Sequence, residues 1–270
     1  MPGLLAHDDL LRVSAQFGVD DEQVVRDHAI SHILAAIATL GTEEIVFFGG
    51  TALSRSLLPN TRLSEDIDLI ARADRAKTGD QIEDAVSRAL RSTLGSPSFS
   101  PRLRDTRHAE PSSLYVGGAT IQIQLLSAEG YPAWPTEVVD VEQRFADAPP
   151  ARLRVLTPPA FVASKLSSWA DRAAARDLYD LWALAEAGEF SPEAVALFGR
   201  LGPFTRASSV SFSRVPTAAE WRAALGHQCR LAVAPDEAAR VVIDALRTVE
   251  PDRTCWGERR SIFLRRSSRR

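Results

Sequence analysis

Two aspartates, Asp66 and Asp68, are separated by a single residue inside the apolar stretch EDIDLIA, residues 65–71. Alternate side chains of a β-strand point to the same face, so both carboxylates are expected side by side, with Ser64 on the same face. Two neighbouring carboxylates repel each other, and a divalent cation relieves that repulsion. The spacing therefore predicts a site for Mg²⁺, with Mn²⁺ as the alternative, on this strand.

A glycine turn precedes this strand by about fifteen residues. Gly49, Gly50 and Thr51 follow the apolar run EIVFF and lead into a short helix predicted over residues 51–58. Glycine lets a backbone approach a ligand closely, and the N–H groups at the start of a helix attract phosphate. The hydroxyl of Thr51 could add a further donor. Glycine turns and spaced aspartate pairs each occur by chance in many proteins, but their order here favours a nucleoside triphosphate (NTP) site for phosphoryl or nucleotidyl transfer.

Both stretches resemble a known family. GGTALSRSLLPNTRLSEDIDL, residues 49–69, resembles the signature of the AbiEii/AbiGii (MenT-like) toxins, within the DNA polymerase β-type nucleotidyltransferase superfamily. KLSSWADRAAARDLYDLWAL, residues 165–184, is similar to the later motif of that family, a lysine followed by R-D-[LI]-Y-D-L. The resemblance covers residues 45 to 185, and it implies an NTP donor, a divalent metal and an RNA acceptor.

The resemblance also implies roles for individual residues. The metal ligands, which are also catalytic, would be Asp66 and Asp68. The other catalytic residues would be Lys165, which would also contact the nucleotide phosphates, and Asp177. The remaining nucleotide-binding positions would be Gly49, Gly50, Thr51, Arg62 and Ser64.

One position departs from the polymerase β-type pattern. Those enzymes usually carry a third carboxylate on a following strand, but the corresponding stretch here, TIQIQLL, has Gln122 and Gln124 at its polar positions. Glutamine is a poor metal ligand and a poor base. The sequence therefore does not identify the group that deprotonates the attacking hydroxyl, and Asp177 is one candidate.

Composition narrows the remaining function classes. The 270-residue chain has 45% hydrophobic residues, a net charge of −3 and a pI of about 6.0, so binding of nucleic acid requires a local basic patch. No apolar stretch is long enough for a membrane span, the first residues do not resemble a signal peptide, and Cys229 and Cys255 form no disulfide framework, which together favour the cytoplasm. Lys77 and Lys165 are the only lysines, which draws attention to Lys165.

The predicted fold class is α+β, a polymerase β-type nucleotidyltransferase core with a mixed sheet followed by a mostly helical C-terminal half. The predicted units are a nucleotidyltransferase domain over residues 1–150, a helical domain over 151–258 and a basic tail over 259–270. Gly117-Gly118 is typical of a two-residue hairpin turn, and Thr157 with Pro158 is typical of a helix start. The predicted helices span 21–41, 80–95, 157–172, 174–187, 191–200, 217–226 and 235–248.

Two lesser clusters have structural interpretations. His28 and His32 lie four residues apart on a predicted helix, but no third ligand is near them in sequence, so surface histidines are expected. Arg102, Arg104 and Arg107 predict a basic strand or loop, either a solvated face or an RNA contact.

The family resemblance implies a toxin of a bacterial toxin–antitoxin pair that adds nucleotides from an NTP to an RNA, at the 3′ end of tRNA, and so blocks aminoacylation. A cognate antitoxin is the expected protein partner, and no membrane is involved. The alternatives are a nucleotidyltransferase that modifies a small molecule such as an antibiotic, and an inactive protein that binds nucleotide or RNA.

Overall fold

A five-stranded mixed sheet carries the aspartate pair. The structure, a computed structural model, describes residues 5–107 and 109–250. The strand order is β1-β2-β5-β4-β3, and the strands are β1 (Ile45–Phe48), β2 (Asp66–Ala71), β3 (Ser98–Ser100), β4 (Ser112–Val116) and β5 (Ala119–Ser127). β2 runs antiparallel to β1 and parallel to β5, so the predicted mixed sheet is confirmed.

Alternation of side chains explains how β2 sits in the sheet. Ile67 and Leu69 are fully buried in the hydrophobic core, while Asp66 and Asp68 on the opposite face stay partly accessible. The hairpin between β4 and β5 turns at Gly117 and Gly118, whose φ angles of 58° and 82° only glycine adopts easily. The predicted hairpin is therefore confirmed.

Nine helices occur among the described residues, in addition to two short 3-10 turns. They are α1 (His7–Phe17), α2 (Asp21–Ala38), α3 (Gly49–Arg55), α4 (Arg75–Leu90), α5 (Pro158–Arg172), α6 (Ala175–Glu186), α7 (Pro192–Leu201), α8 (Ala218–Leu225) and α9 (Pro235–Val249). The helical C-terminal half agrees with the prediction. The helix α1 was not predicted, and α3 begins two residues earlier than predicted.

A second, two-stranded sheet lies at the predicted domain boundary. Its strands, β6 (Thr136–Val141) and β7 (Ala151–Leu156), pair antiparallel, and the predicted boundary at residue 150 falls between them in the chain. One hydrophobic core continues from the large sheet into the helices α5 to α9. The division at residue 150 stays a prediction. The whole predicted basic tail, residues 259–270, and the end of the helical domain, residues 251–258, lie outside the described residues.

No helix in the described part of the chain is long and apolar enough to cross a membrane.

Candidate active site

The aspartate pair lies beside the strand on which polymerase β-type enzymes carry their third carboxylate. In the parallel register, Asp66 is opposite Gln122 and Asp68 is opposite Gln124, so these four side chains share one face of the sheet. The Gln122 amide donates to the Ser113 hydroxyl at 3.0 Å. β5 contains no acidic residue, so the amides of Gln122 and Gln124 stand where a third carboxylate would be expected.

Gly49 brings the turn against Asp68. It has a φ of 79°, and a Cβ at this position would lie 2.1 Å from Oδ2 of Asp68, which is far inside van der Waals contact. A side chain at residue 49 is therefore excluded both by backbone conformation and by space. The glycine predicted to approach a phosphate also makes room for a carboxylate.

Gly50 lies against the segment that leads into β2. A Cβ here would be 2.6 Å from Nη2 of Arg62 and 3.4 Å from Oγ of Ser64. Ser64 therefore borders the glycine turn, on the same side as the aspartates. Its side chain is almost fully buried.

The hydroxyl of Thr51, which the sequence predicts to donate to a phosphate, makes a hydrogen bond within the protein. Its side chain is buried, and its hydroxyl donates to the backbone carbonyl of Asp66. This bond ties α3 to the first residue of β2. Thr51 thus positions the turn relative to the aspartate strand, and its hydroxyl hydrogen is already used.

The aspartates titrate abnormally because of where they lie. Burial, followed by the charge of Asp66, raises the pKa of Asp68 to about 6, against the influence of Lys165, Arg172 and Arg176. Burial also raises the pKa of Asp66, and Arg176 opposes that shift. The nearest guanidinium nitrogen of Arg176 is 3.8 Å from Asp66 Oδ2. Two crowded carboxylates facing cationic side chains form an electrostatic environment suited to a metal ion and phosphates.

The later motif forms a buried ion network. Lys165 Nζ lies 2.6 Å from Asp180 Oδ2 and 3.3 Å from Asp177 Oδ1. Arg172 binds both oxygens of Asp177, at 2.7 Å and 3.0 Å. Asp177 is fully buried with both oxygens engaged, so the geometry does not favour it as the base for an incoming hydroxyl.

Arg62 connects this network to the glycine turn. It is buried and makes a bidentate pair with Asp180, at 2.7 Å and 2.9 Å, and its Nη1 donates to Gln228 Oε1 at 2.9 Å. Burial alone would raise the pKa of Asp180, but Arg62 and Lys165 outweigh burial and lower it to about 2. Arg62 therefore has structural partners, and the sequence analysis did not identify Asp180 as one of them.

A tight turn separates the two exposed arginines of the motif. Arg172 is the last residue of α5 and Arg176 lies in the first turn of α6, with Ala173 between them at a φ of 47°. They lie on two different helices. Their side chains are 60% and 44% exposed, whereas that of Lys165 is 8% exposed. The accessible cations beside the aspartates are thus the arginines.

One lesser expectation needs correction, and for another the structure favours one of its two alternatives. His28 and His32 are buried, not on the helix surface, and Asp147 contacts both of them. Arg102 and Arg104 lie at a short 3-10 turn and pair with Asp80, and Arg102 also pairs with Glu83. These arginines are held by acids of α4, so a free RNA contact is not favoured for them.

Comparisons with known proteins show which family and which solved structures the chain is similar to. The profile of the family described as nucleotidyl transferase AbiEii toxin, type IV toxin–antitoxin system, matches residues 32–237. Among solved structures, MenT4, a nucleotidyltransferase toxin from Mycobacterium tuberculosis, is similar to this chain with a TM-score of 0.70 at 19% identity, over 94% of this chain and 93% of that one. A putative nucleotidyltransferase from H. pylori is similar with a TM-score of 0.52 at 15% identity, over 85% and 95% of the two chains. No curated protein matches the chain in sequence.

Proposed function

The chain belongs to the AbiEii family of nucleotidyl transferase toxins, and from this premise we propose that it transfers nucleotides from an NTP to the 3′ end of tRNA. The resulting RNA could no longer be aminoacylated, which would stop growth until the cognate antitoxin counteracts it. The reaction would join the 3′ oxygen of the acceptor to the α-phosphorus of the NTP, break the bond to the β-phosphate oxygen and release pyrophosphate.

The observation that carries this proposal is the juxtaposition of the aspartate pair with exposed cations. Asp68 packs against Gly49, and Arg176 reaches to 3.8 Å from Asp66. Arg172 comes from the end of α5, and its charge acts on Asp68. An NTP brings both phosphates and the metal ions bound to them, so a site that handles it needs acidic and basic groups side by side.

The residues present fit a divalent cation. Asp66 and Asp68 are carboxylates, which hard cations such as Mg²⁺ prefer, and burial raises the pKa of both, with the charge of Asp66 adding to the shift of Asp68. We assign them as the ligands of Mg²⁺ or Mn²⁺. When bound, the ion supplies positive charge against the developing charge of the transferring phosphoryl group.

Phosphate binding is assigned to the exposed arginines rather than to Lys165. Lys165 is enclosed by Asp177 and Asp180, so its charge is already balanced by carboxylates. It acts as a positioning residue that holds the start of α6, and with it Arg176, against the aspartates. Arg172 keeps its own pair with Asp177 while most of its side chain remains accessible, which suits a contact to the triphosphate.

The reaction then depends on position and charge more than on a dedicated base. Gln122 and Gln124 stand where the third carboxylate is expected, and Asp177 is enclosed. Phosphoryl transfer requires little covalent chemistry from the protein, so precise placement and charge neutralisation can supply most of the rate. Slow turnover is the expected consequence.

A groove beside Arg172 supports a polynucleotide acceptor. It has a volume of about 490 Å³ and is open to solvent, and its lining includes Arg172, Arg214 and Pro216. No acid of residues 5–107 or 109–250 forms an ion pair with Arg214, so its charge is available to a phosphate backbone. One acid, Glu220, also lines the groove, but its two arginines outnumber it, and such a local excess of positive charge is what an acidic chain needs to bind RNA.

Transfer of label tests the proposal. Purified protein is incubated with Mg²⁺, each α-labelled NTP in turn and total tRNA, and the products are separated by size. Label in tRNA, absent when the tRNA 3′ end is oxidised with periodate, is the expected result. Label in a small acceptor from a cell extract would support modification of an antibiotic-like molecule, and no label with any NTP or acceptor would support a binding protein. Either result would overturn the proposal.

A further inference from the structure

A second cluster of metal-binding side chains lies outside the site described above. His28 and His32 are one helical turn apart on α2, and Asp147 comes from the loop between β6 and β7, 119 residues after His28 in the chain. The two imidazoles are buried, and the side chain of Asp147 is 30% exposed. None of these residues takes part in the chemistry proposed for the aspartate pair.

The three ligand atoms converge on one point. His28 Nε2 is 2.9 Å from Asp147 Oδ2, His32 Nε2 is 3.2 Å from the same oxygen, and the two Nε2 atoms are 3.2 Å apart. A tetrahedral zinc ion with bonds of about 2.0–2.1 Å places its ligand atoms about 3.3 Å from one another. The observed triangle is therefore close to one face of such a coordination shell.

Hydrogen bonding explains only two sides of this triangle. Each Nε2 carries at most one hydrogen, and the carboxylate carries none at neutral pH. If both nitrogens are protonated, each N–H can donate to Asp147, and the 3.2 Å contact between the two nitrogens then contains no hydrogen bond. If only one is protonated, the other directs its lone pair at a carboxylate or at its neighbour with no hydrogen between them. A cation at the centre makes all three contacts favourable.

We propose that His28, His32 and Asp147 bind a divalent transition-metal ion of the zinc class. Two imidazole nitrogens with one carboxylate are borderline ligands, which favour zinc, cobalt or nickel over the magnesium or calcium that oxygen-only sites take. The exposed edge of Asp147 leaves one side of the ion accessible to water as a fourth ligand.

The ion would hold the loop between β6 and β7, which contacts the end of α3. Arg144, three residues before Asp147, donates to the carbonyls of Ser54 at 2.6 Å and Pro59 at 3.0 Å. It also pairs with Asp27 at 3.2 Å, next to His28 on α2. A metal that joins α2 to this loop would hold Arg144, and through it the end of α3, in place. Its role is thus stability of the fold and not chemistry on the nucleotide.

Metal analysis of the full-length protein tests this site. The protein is stripped with a chelator and dialysed against Zn²⁺ or Co²⁺, and bound metal is counted by mass spectrometry. The Asp66→Asn/Asp68→Asn variant removes the other candidate site, and His7→Gln serves as the control for loss of an exposed histidine. One tight equivalent in the wild type, the double variant and His7→Gln is expected, with a visible Co²⁺ spectrum of nitrogen and oxygen ligands and a rise in melting temperature.

His32→Gln and Asp147→Asn should lose that equivalent and the Co²⁺ spectrum. Because both variants could fold poorly, far-UV circular dichroism is recorded first, and the wild-type stoichiometry stands as an independent measurement. No tight equivalent in the wild type would overturn the proposal. So would its retention in both variants, or its loss in the Asp66→Asn/Asp68→Asn protein.

Discussion

Gly49 and Asp68 lie so close together that a Cβ on residue 49 would come within 2.1 Å of the Asp68 carboxylate. Asp68 lies on β2, and Gly49 directly follows Phe48, the last residue of the antiparallel strand β1, which is in register with Asp68. The glycine turn and the aspartate strand therefore form a single unit, in which the backbone conformation of one residue sets the position of a carboxylate on the other.

Substitution of this glycine should abolish nucleotide transfer. Gly49→Ala forces Asp68 away from the turn and also places alanine at a φ of 79°, which costs about 1–2 kcal/mol. Gly188→Ala is a matched control, because Gly188 has a φ of 75° but open space around its Cβ position. Both variants should lose stability in urea unfolding, Gly49→Ala by more because of its clash with Asp68, and only Gly49→Ala should lose transfer. Equal activity of the two variants would show that the contact with Asp68 does not matter.

Arg172→Gln should weaken use of the NTP while the protein stays folded. The change removes both hydrogen bonds that Arg172 gives to the buried Asp177, which costs about 1–3 kcal/mol, but Asp177 keeps Lys165 as its partner. We expect the KM for NTP to rise about tenfold, which corresponds to about 1.4 kcal/mol. Steady-state kinetics measures this, with the exposed Arg91→Gln as the control. An unchanged KM would remove Arg172 from the phosphate contacts.

Lys165→Met should lower stability and activity together. The change removes one partner from both Asp177 and Asp180, which is expected to cost about 1–3 kcal/mol, although each acid keeps an arginine. Lys165→Arg should recover only part of the loss, because a planar guanidinium does not fit the space of the ammonium. Unfolding curves and kinetics are compared on the same samples. A raised KM for NTP with unchanged stability would instead indicate that Lys165 contacts the nucleotide directly.

The buried ion pairs of Asp180 with Arg62 and Lys165 should make the free energy of unfolding depend on pH in the acidic range. Its pKa of about 2 in the folded protein is below the unfolded value, so the unfolded chain binds more protons below about pH 4. The stabilisation is thus complete above about pH 4 and is lost as the pH falls through about 2. It amounts to about 2 kcal/mol.

Asp180→Asn isolates this effect. At pH 7 the variant should be less stable than the wild type by about 3–5 kcal/mol, because Arg62 stays buried without a charged partner and Lys165 keeps only Asp177. The difference should begin to shrink below pH 4 in urea unfolding, and the exposed Asp84→Asn serves as control. A difference that is constant from pH 6 to pH 3 would mean that Asp180 does not titrate as the ion pairs require.

The sequence was informative where local spacing carried the signal. Alternation along residues 66–71 predicted the aspartate face, and Gly117-Gly118 predicted the hairpin, because strand periodicity and turn conformation are local properties. The fold class and the family followed from two motifs in order. The helix α1 was missed, since its buried residues, Val13 and Phe17, give only a narrow apolar stripe.

The partners of charged groups were much harder to predict. Arg62 and Asp180 are 118 residues apart in the chain, and Arg26 and Glu65 are 39 residues apart. No local sequence pattern connects the members of either pair. The same limit applies to His28 and Asp147, which only the packing of the β6–β7 loop against α2 brings together. An isolated histidine pair therefore looked like a surface feature, although the folded chain buries it.

The most direct test of the central claim is transfer of label by proteins that lack one carboxylate of the pair. Asp66→Asn and Asp68→Asn are assayed with labelled NTP, tRNA and a range of Mg²⁺ concentrations, beside Asp140→Asn, which changes an exposed aspartate on β6. The wild type and Asp140→Asn should label tRNA, and both pair variants should fail at every Mg²⁺ concentration while melting at the same or a higher temperature, because repulsion is relieved. Transfer at a near wild-type rate by either folded pair variant would contradict the account.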